Sequence, residues 1–284
     1  MSIIRMEESM SAVQETVTTA PGLPEFTIQG ACARIRLNRE RYLNRIEPDD
    51  VPALLEMLER AQDDPAIRVL VLTGTGRVFS SGYHLGDLAE RRAALDTQPA
   101  GEPEPPQATS PFDVLLERLE NLRVPTICRL NGSVYGGATD LALCCDFRIG
   151  EEGIEMFMPA SRLGLHYYRS GMVRYVSRLG VNAAKKLFLT SQTIKAPEML
   201  RVGYLTEMVP AGGLDAEVER LAGVLAGQAP LAVAGMKQAI NELARGELDA
   251  DALDARHAAS LRSEDIREGV TAWHERRKPV FQGR

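Results

Sequence analysis

From Val124 to Ile149 the chain reads Val-Pro-Thr-Ile-Cys-Arg-Leu-Asn-Gly-Ser-Val-Tyr-Gly-Gly-Ala-Thr-Asp-Leu-Ala-Leu-Cys-Cys-Asp-Phe-Arg-Ile. No other stretch restricts the possible folds as strongly. Residues 126–130 read as a short strand, ended by the Asn131-Gly132 turn signal. Gly136-Gly137 then lets backbone approach closely with no side chain in the way. Residues 138–145 are apolar apart from Thr139 and Asp140, as suits a buried helix, and a second strand follows. A helix that opens out of a glycine pair points free N–H groups and its positive end at one spot. Such a spot holds an anion, or an oxygen that gains charge during reaction. An ordinary strand-to-helix turn in an α/β core is the alternative reading of the same residues.

The flanking sequence supports an α/β core. Residues 25–29 and 32–37 read as a hairpin around Gly30, and in the second run Ala33, Ile35 and Leu37 form one apolar face. A helix is expected from Pro48 through Leu54, Leu55, Leu58 and Ala61. Residues 69–73, Val-Leu-Val-Leu-Thr, form a continuous apolar strand of the kind covered on both faces. A further strand at 78–85 runs into Gly82. Residues 112–122 are helical, and 158–171 form a loop with polar tips. The stripe Met172, Val173, Val176 and Leu179 makes a helix closed by Gly180, with Asn182 as cap of the next. Pro197 opens a short helix, and 205–209 is the last strand. Everything beyond Leu214 reads as helix. The domain reading is therefore a loose tail at 1–20, a core at 21–212 and a helical region at 213–284. Five prolines between 99 and 111 make 89–111 a mobile surface segment, either a lid or a tolerated insertion.

Composition excludes several classes. The net charge of −6 comes without a basic cluster, so a nucleic-acid groove is not expected. No apolar run approaches the roughly 20 residues that span a bilayer, and the first ten residues have no signal core. Cys32, Cys128, Cys144 and Cys145 sit in apolar contexts without a CxxC spacing. They read as free thiols of a reducing compartment. The four histidines are too scattered for a metal site. A cytoplasmic, metal-free protein is the expectation.

Phe79-Ser-Ser-Gly-Tyr-His-Leu85 and the segment 131–146 together resemble the enoyl-CoA hydratase/isomerase (crotonase) superfamily. Supporting pieces stand in the family's order: Asn38-Arg39 with Leu43-Asn44, residues 69–74, Arg162-Leu-Gly164, and Glu268-Gly followed by Glu275-Arg-Arg-Lys-Pro279. The likeness spans about residues 25 to 281. It implies a crotonase-like spiral of ββα turns, with C-terminal helices that pack subunits into trimers or hexamers. It also implies an acyl- or enoyl-CoA substrate and no cofactor beyond the coenzyme A that the substrate carries. By position, the family's oxyanion hole falls on the backbone N–H groups of Tyr83 and Gly137, a preorganised donor pair for a thioester oxygen that becomes an enolate. Ser81, Gly82, His84, Leu85 and Gly136 would line the substrate's path, with His84 where members usually carry aspartate. Arg41 falls where a basic residue can meet a CoA phosphate. Trp273 and Arg276 match positions that reach a neighbouring subunit's CoA in some members.

The departures from the family pattern bear on the reaction. Members that add water use two glutamates, which would fall at Asp140 and Ala160. Asp140 is shorter than glutamate by one carbon–carbon bond, about 1.5 Å, and Ala160 transfers no proton. The segment 132–140, with Tyr167 in the loop after Leu163-Gly164, resembles methylmalonyl-CoA decarboxylase of the same superfamily. The leading expectation is an acyl-CoA enzyme of the hydratase/isomerase type, with Asp140 as acid/base and Tyr167 as auxiliary proton donor. The alternatives are a malonyl-type CoA decarboxylase using Tyr167 and a CoA-binding protein with impaired catalysis.

Overall fold

A computed structural model describes residues 14–17, 22–84, 86 and 110–284. Strands β1 (Gln14–Val17), β2 (Glu25–Gln29) and β3 (Cys32–Leu37) form an antiparallel meander. Four residues of the expected tail are thus a paired strand. The rest of that tail, and residues 89–109 of the proline-rich segment, lie outside the described residues. Helix α1 (Asp50–Asp63) leads into β4 (Val69–Gly74) and β5 (Val78–Ser80). Helix α2 (Pro111–Glu120) begins inside the stretch expected to be mobile. Ser110 accepts a hydrogen bond from the Phe112 N–H at 3.3 Å, and Pro111 occupies the first turn, where a missing N–H does no harm.

Then come β6 (Thr126–Leu130), β7 (Ser133–Tyr135), α3 (Gly137–Cys144), β8 (Phe147–Glu151) and β9 (Glu155–Phe157). Helices α4 (Arg169–Leu179) and α5 (Val181–Thr190) follow, then β10 (Ile194–Lys195), α6 (Ala196–Arg201) and β11 (Glu207–Val209). Gly180, not Asn182, is the N-cap of α5. Four helices end the chain: α7 (Leu214–Ala226), α8 (Pro230–Arg245), α9 (Ala250–Arg262) and α10 (Glu264–Glu275).

The strands sort into two sheets by alternation. One has seven strands in the order β1-β2-β3-β4-β6-β8-β11, and the other four in the order β10-β9-β7-β5. From β4 to β9 each turn places one strand in the large sheet and the next in the small one. This is the ββα spiral, and it is parallel within each sheet from β4 to β6 to β8 and from β5 to β7 to β9. Every residue of β4 is buried, and its two faces serve two cores. Leu70 and Leu72 join the main core, while Val69 and Val71 pack with Leu214 and Val218 of α7. Alternating side chains on a strand covered from both sides require this unbroken apolar run.

Helices α8 and α9 bury little: Asn241 in the first and no residue in the second. Met236, Ile240, Leu243 and Trp273 stand exposed on the C-terminal helices. Among the described residues no helix is long and apolar enough to cross a membrane. Nor does any group of three or more His, Cys, Asp or Glu there suit a metal ion.

Candidate active site

Strands β5 and β7 are parallel neighbours, so the chain leaves both at the same end of the small sheet. After β5 comes Ser81-Gly82-Tyr83, and after β7 comes Gly136-Gly137. Gly82 has φ +108° and Gly136 φ +55°, both in the region that glycine tolerates best. A side chain on Gly82 would put its Cβ 3.2 Å from the Gly137 nitrogen, and one on Gly137 would put its Cβ 3.4 Å from the Tyr83 nitrogen. The two glycines thus bring two backbone nitrogens to one point. Ile46 pairs with this segment through the Gly82 carbonyl and the His84 N–H, both at 2.9 Å. Strand alternation therefore turns the Tyr83 N–H to the opposite side. Gly137 is the first residue of α3, so its N–H is one of those a helix cannot pair internally.

The loop before α1 braces this arrangement. Leu43 and Asn44 both adopt positive φ, 52° and 53°. The Asn44 side chain, 1% exposed, donates to the carbonyls of Thr75 and Val78, each at 2.8 Å. The Asn44 backbone carbonyl accepts from the Ser80 hydroxyl at 2.7 Å. Two consecutive non-glycine residues in this conformation cost about 1–3 kcal/mol each unless the surroundings over-determine them, and these bonds do so.

Tyr83 and Gly137 both line a cavity of about 1030 Å³. Tyr83 and Phe112 stack at 4.5 Å on one side. Met158, Ala160, Leu165, Met172 and Val173 supply apolar wall; Asp113, Glu117, His84, His166 and Arg169 line it too, with the phenols of Tyr83, Tyr167 and Tyr168. Asp140 does not line it. That carboxylate is fully buried in the first turn of α3, and Tyr167 and Tyr168 stand between it and the cavity. Both hydroxyls donate to its Oδ2, Tyr167 at 3.3 Å and Tyr168 through a closer contact, while Arg174 Nη1 donates to Oδ1 at 2.7 Å. Arg174 continues to Glu120 at 3.2 Å, and Arg178 reaches the other Glu120 oxygen at 3.0 Å. Burial pushes the Glu120 carboxyl up, but Arg174, Arg178 and Arg245 outweigh it and hold the group below the usual glutamate range. Burial, reinforced by the Asp140 charge, drives both tyrosines well above the ordinary phenol value, so both are neutral donors.

Of the residues singled out in the sequence, Ser81, Gly82, Tyr83, His84, Gly136, Gly137 and Tyr167 line this cavity. Asp140 lies one layer behind. Leu85 falls outside the described residues. His84 Nδ1 is 2.9 Å from Glu47 Oε2, so a carboxylate sits beside the histidine that stands in aspartate's place. Arg41 is on the surface with its guanidinium 6.0 Å from the Tyr42 ring centre. Trp273, 84% exposed, lines a separate cavity of about 390 Å³ with Ile266, Val270 and Phe281, and Arg276 caps α10. Neither reaches the larger cavity within one chain. Arg174, Glu120 and Tyr168 carry the charge network, yet the sequence reading gave none of them that role. Arg174 and Arg178 did lie one helical turn apart, on the face a buried carboxylate could use.

Residues 27–284 match the family model for enoyl-CoA hydratase/isomerase. The chain is 32% identical to a carnitinyl-CoA dehydratase of Proteus mirabilis over 266 residues, 91% of this chain and 98% of that one. It is 29% identical to a crotonyl-CoA hydratase of Syntrophomonas wolfei over 252 residues, covering 88% and 94%. Among solved structures, an enoyl-CoA hydratase from Bacillus anthracis superposes with a TM-score of 0.79 at 26% identity, over 95% of this chain and 99% of that one. The match runs from the second strand to the last residue and takes in both glycine-bearing turns, and the chain belongs to the enoyl-CoA hydratase/isomerase (crotonase) family.

Proposed function

We propose that the protein is an acyl-CoA-processing enzyme of the hydratase/isomerase type, which stabilises a thioester enolate between the Tyr83 and Gly137 N–H groups. The observation that carries this is the approach of those two nitrogens at the wall of a cavity large enough for an acyl group. Donors held by hydrogen-bonded strands need no reorganisation when charge develops on the oxygen. Ser81, Gly82, His84 and Gly136 line the way in, and Leu85 follows them in sequence. Arg41 would meet a CoA phosphate from the surface. Trp273 and Arg276 would act on a neighbouring subunit's CoA in a trimer or hexamer, which the exposed apolar residues of the C-terminal helices support. Three buried thiols and a partly buried fourth, none in a disulfide, suit a cytoplasmic location.

Proton transfer is the role we assign to Asp140, with Tyr167 as an auxiliary donor beside it. Water addition by two carboxylates has little support, because Ala160 offers a methyl and Asp140 lies behind two rings. Mass-detected turnover of a panel of short, medium and aromatic acyl- and enoyl-CoA thioesters tests the proposal. The expected result is double-bond migration, hydration or α-proton exchange on one class. Tight binding with no turnover of any would leave a CoA-binding protein and overturn it. The tyrosine pair at the cavity wall favours one further reading, loss of CO₂ from a malonyl-type CoA. That reaction should survive Asp140→Asn better than Tyr167→Phe, and the reverse ranking counts against it.

A further inference from the structure

Two adjacent tyrosines meet one carboxylate, and their surroundings differ. Tyr167 is 8% exposed, with its ring against Phe188 at 5.0 Å and Tyr175 at 6.1 Å. It is wedged over Gly171, where an added Cβ would come within 2.4 Å of the ring. Its hydroxyl is 3.3 Å from Asp140 Oδ2. Tyr168 is only partly buried, and its hydroxyl makes the closer contact to the same oxygen. The two phenols also touch at 3.2 Å. Both rings stand between the cavity and Asp140, but Tyr167 is built into the core, whereas Tyr168 is the more exposed of the two.

We propose that Tyr168 passes the proton between the substrate's α-carbon and Asp140, and that Arg174 is the positioning residue that holds Asp140 in line. This rests on the enolate reading above. In the forward step the α-carbon–hydrogen bond breaks and its proton bonds to Tyr168 Oη, while the proton already on Oη moves to Asp140 Oδ2. The electron pair of the broken bond becomes the enolate, with its charge on the thioester oxygen facing the two N–H groups. The return step reverses each transfer, so nothing is consumed. No free phenolate forms, which matters because burial and the neighbouring carboxylate disfavour one strongly. Neutralising Asp140 does not strand Arg174, since Glu120 remains 3.2 Å from it. Tyr167, Tyr175, Tyr204, Cys144 and Arg174 are the other titratable or charged groups acting on Asp140.

The test is deuterium uptake at the α-carbon of butyryl-CoA, hexanoyl-CoA and phenylacetyl-CoA in heavy water, read by mass. We expect Tyr168→Phe to lower the exchange rate about 100-fold and Tyr167→Phe by less than about 10-fold, with KM within about 3-fold of wild type in both. A fluorotyrosine placed at 168 keeps the shape while lowering the phenol's pKa. It should move the basic limb of the rate profile to lower pH, a readout that does not depend on how well Tyr168→Phe folds. Arg174→Lys keeps the charge but loses the fork; we expect a lower exchange rate with KM unchanged, where a purely structural role would shift KM and melting together. Exchange that survives Tyr168→Phe, or a basic limb unmoved by the fluorotyrosine, overturns the relay alone. Wild type that binds these thioesters and exchanges with none overturns the enolate reading and the relay with it.

Discussion

Gly137→Ala is the substitution that most sharply separates folding from chemistry. Gly137 starts α3 without a positive φ, so alanine fits the backbone there. Its methyl would lie 3.2 Å from Tyr83 Cβ, 3.3 Å from the Phe112 ring and 3.4 Å from the Tyr83 nitrogen. Two of those contacts are tight by a few tenths of an ångström; the Phe112 ring can turn aside, and the Tyr83 Cβ needs a backbone shift of that size. Against that crowding stands the helix preference for alanine over glycine, about 1 kcal/mol. The two nearly cancel, and urea denaturation should report a stability within about 1 kcal/mol of wild type. The activity should behave differently, because the methyl occupies the space beside the second donor where the thioester oxygen must sit. Losing one such donor costs about 3 kcal/mol, or roughly 100-fold in kcat. The assay is the turnover of whichever CoA thioester the panel identifies, alongside a calorimetric titration with that thioester. A Gly137→Ala enzyme within about 3-fold of wild-type kcat would refute the donor pair, whatever its stability. Gly82→Ala supplies the contrast: φ is +108° and the new Cβ meets the Tyr135 carbonyl at 2.9 Å. It should lose activity and about 1–3 kcal/mol of stability together.

Three further outcomes follow from the charge network and its packing. Asp140→Asn removes one of the two carboxylates on a guanidinium whose side chain is 1% exposed; with Glu120 still 3.2 Å away, it should destabilise the fold by about 1–3 kcal/mol in urea titrations. Gly171→Ala pushes a Cβ to within 2.4 Å of the Tyr167 ring and 2.9 Å of Asp140 Oδ2. Overpacking there should lower stability by about 1–3 kcal/mol, measured the same way, and disturb the rate as well. At the C-terminus, hydrogen bonds from Arg277 and the Val280 N–H lower the Glu268 carboxyl from 4.5 to about 2. A depressed carboxylate contributes stability that is complete above its unfolded value and is lost as pH falls through its folded one. Acid melting should therefore show a loss between about pH 4.5 and 2 that Glu268→Gln no longer shows.

Much of this architecture can be seen in the sequence because its long elements have a clear period. The hairpin at 25–37, the doubly covered strand at 69–74 and the strand at 126–130 each carry enough residues to show their faces. The small sheet is another matter. β5, β7 and β9 have three residues each and β10 has two, too few to display alternation. Without that sheet, the adjacency of Gly82 and Gly137 is invisible unless a family likeness supplies it. The site divides in the same way. The glycine pair announces itself through composition, but the burial of Asp140 depends on Arg174, 34 positions away on another helix. A tyrosine at 167 and one at 168 look alike in a loop with no period, and only packing against Phe188 and Gly171 tells them apart. The proline-rich reading overreached at Pro111, because a proline in a helix's first turn gives the same local signal as one in a loop.

The parallel pairing of β5 with β7 also bears on how such a protein can diverge. Neighbouring strands are held about 4.8 Å apart by their ladder, and both donor nitrogens stand just past the ends of those two strands. The backbone sets their spacing, and the glycines and Asn44 that allow it lie on those turns and the loop that braces them. The other walls of the cavity come instead from α2 and from residues 158–173, outside that ladder. Mutation can therefore change the side chains at 160 or 168 and leave the paired turns undisturbed. Selection for a new reaction would act on one part of this chain while inheriting the other intact.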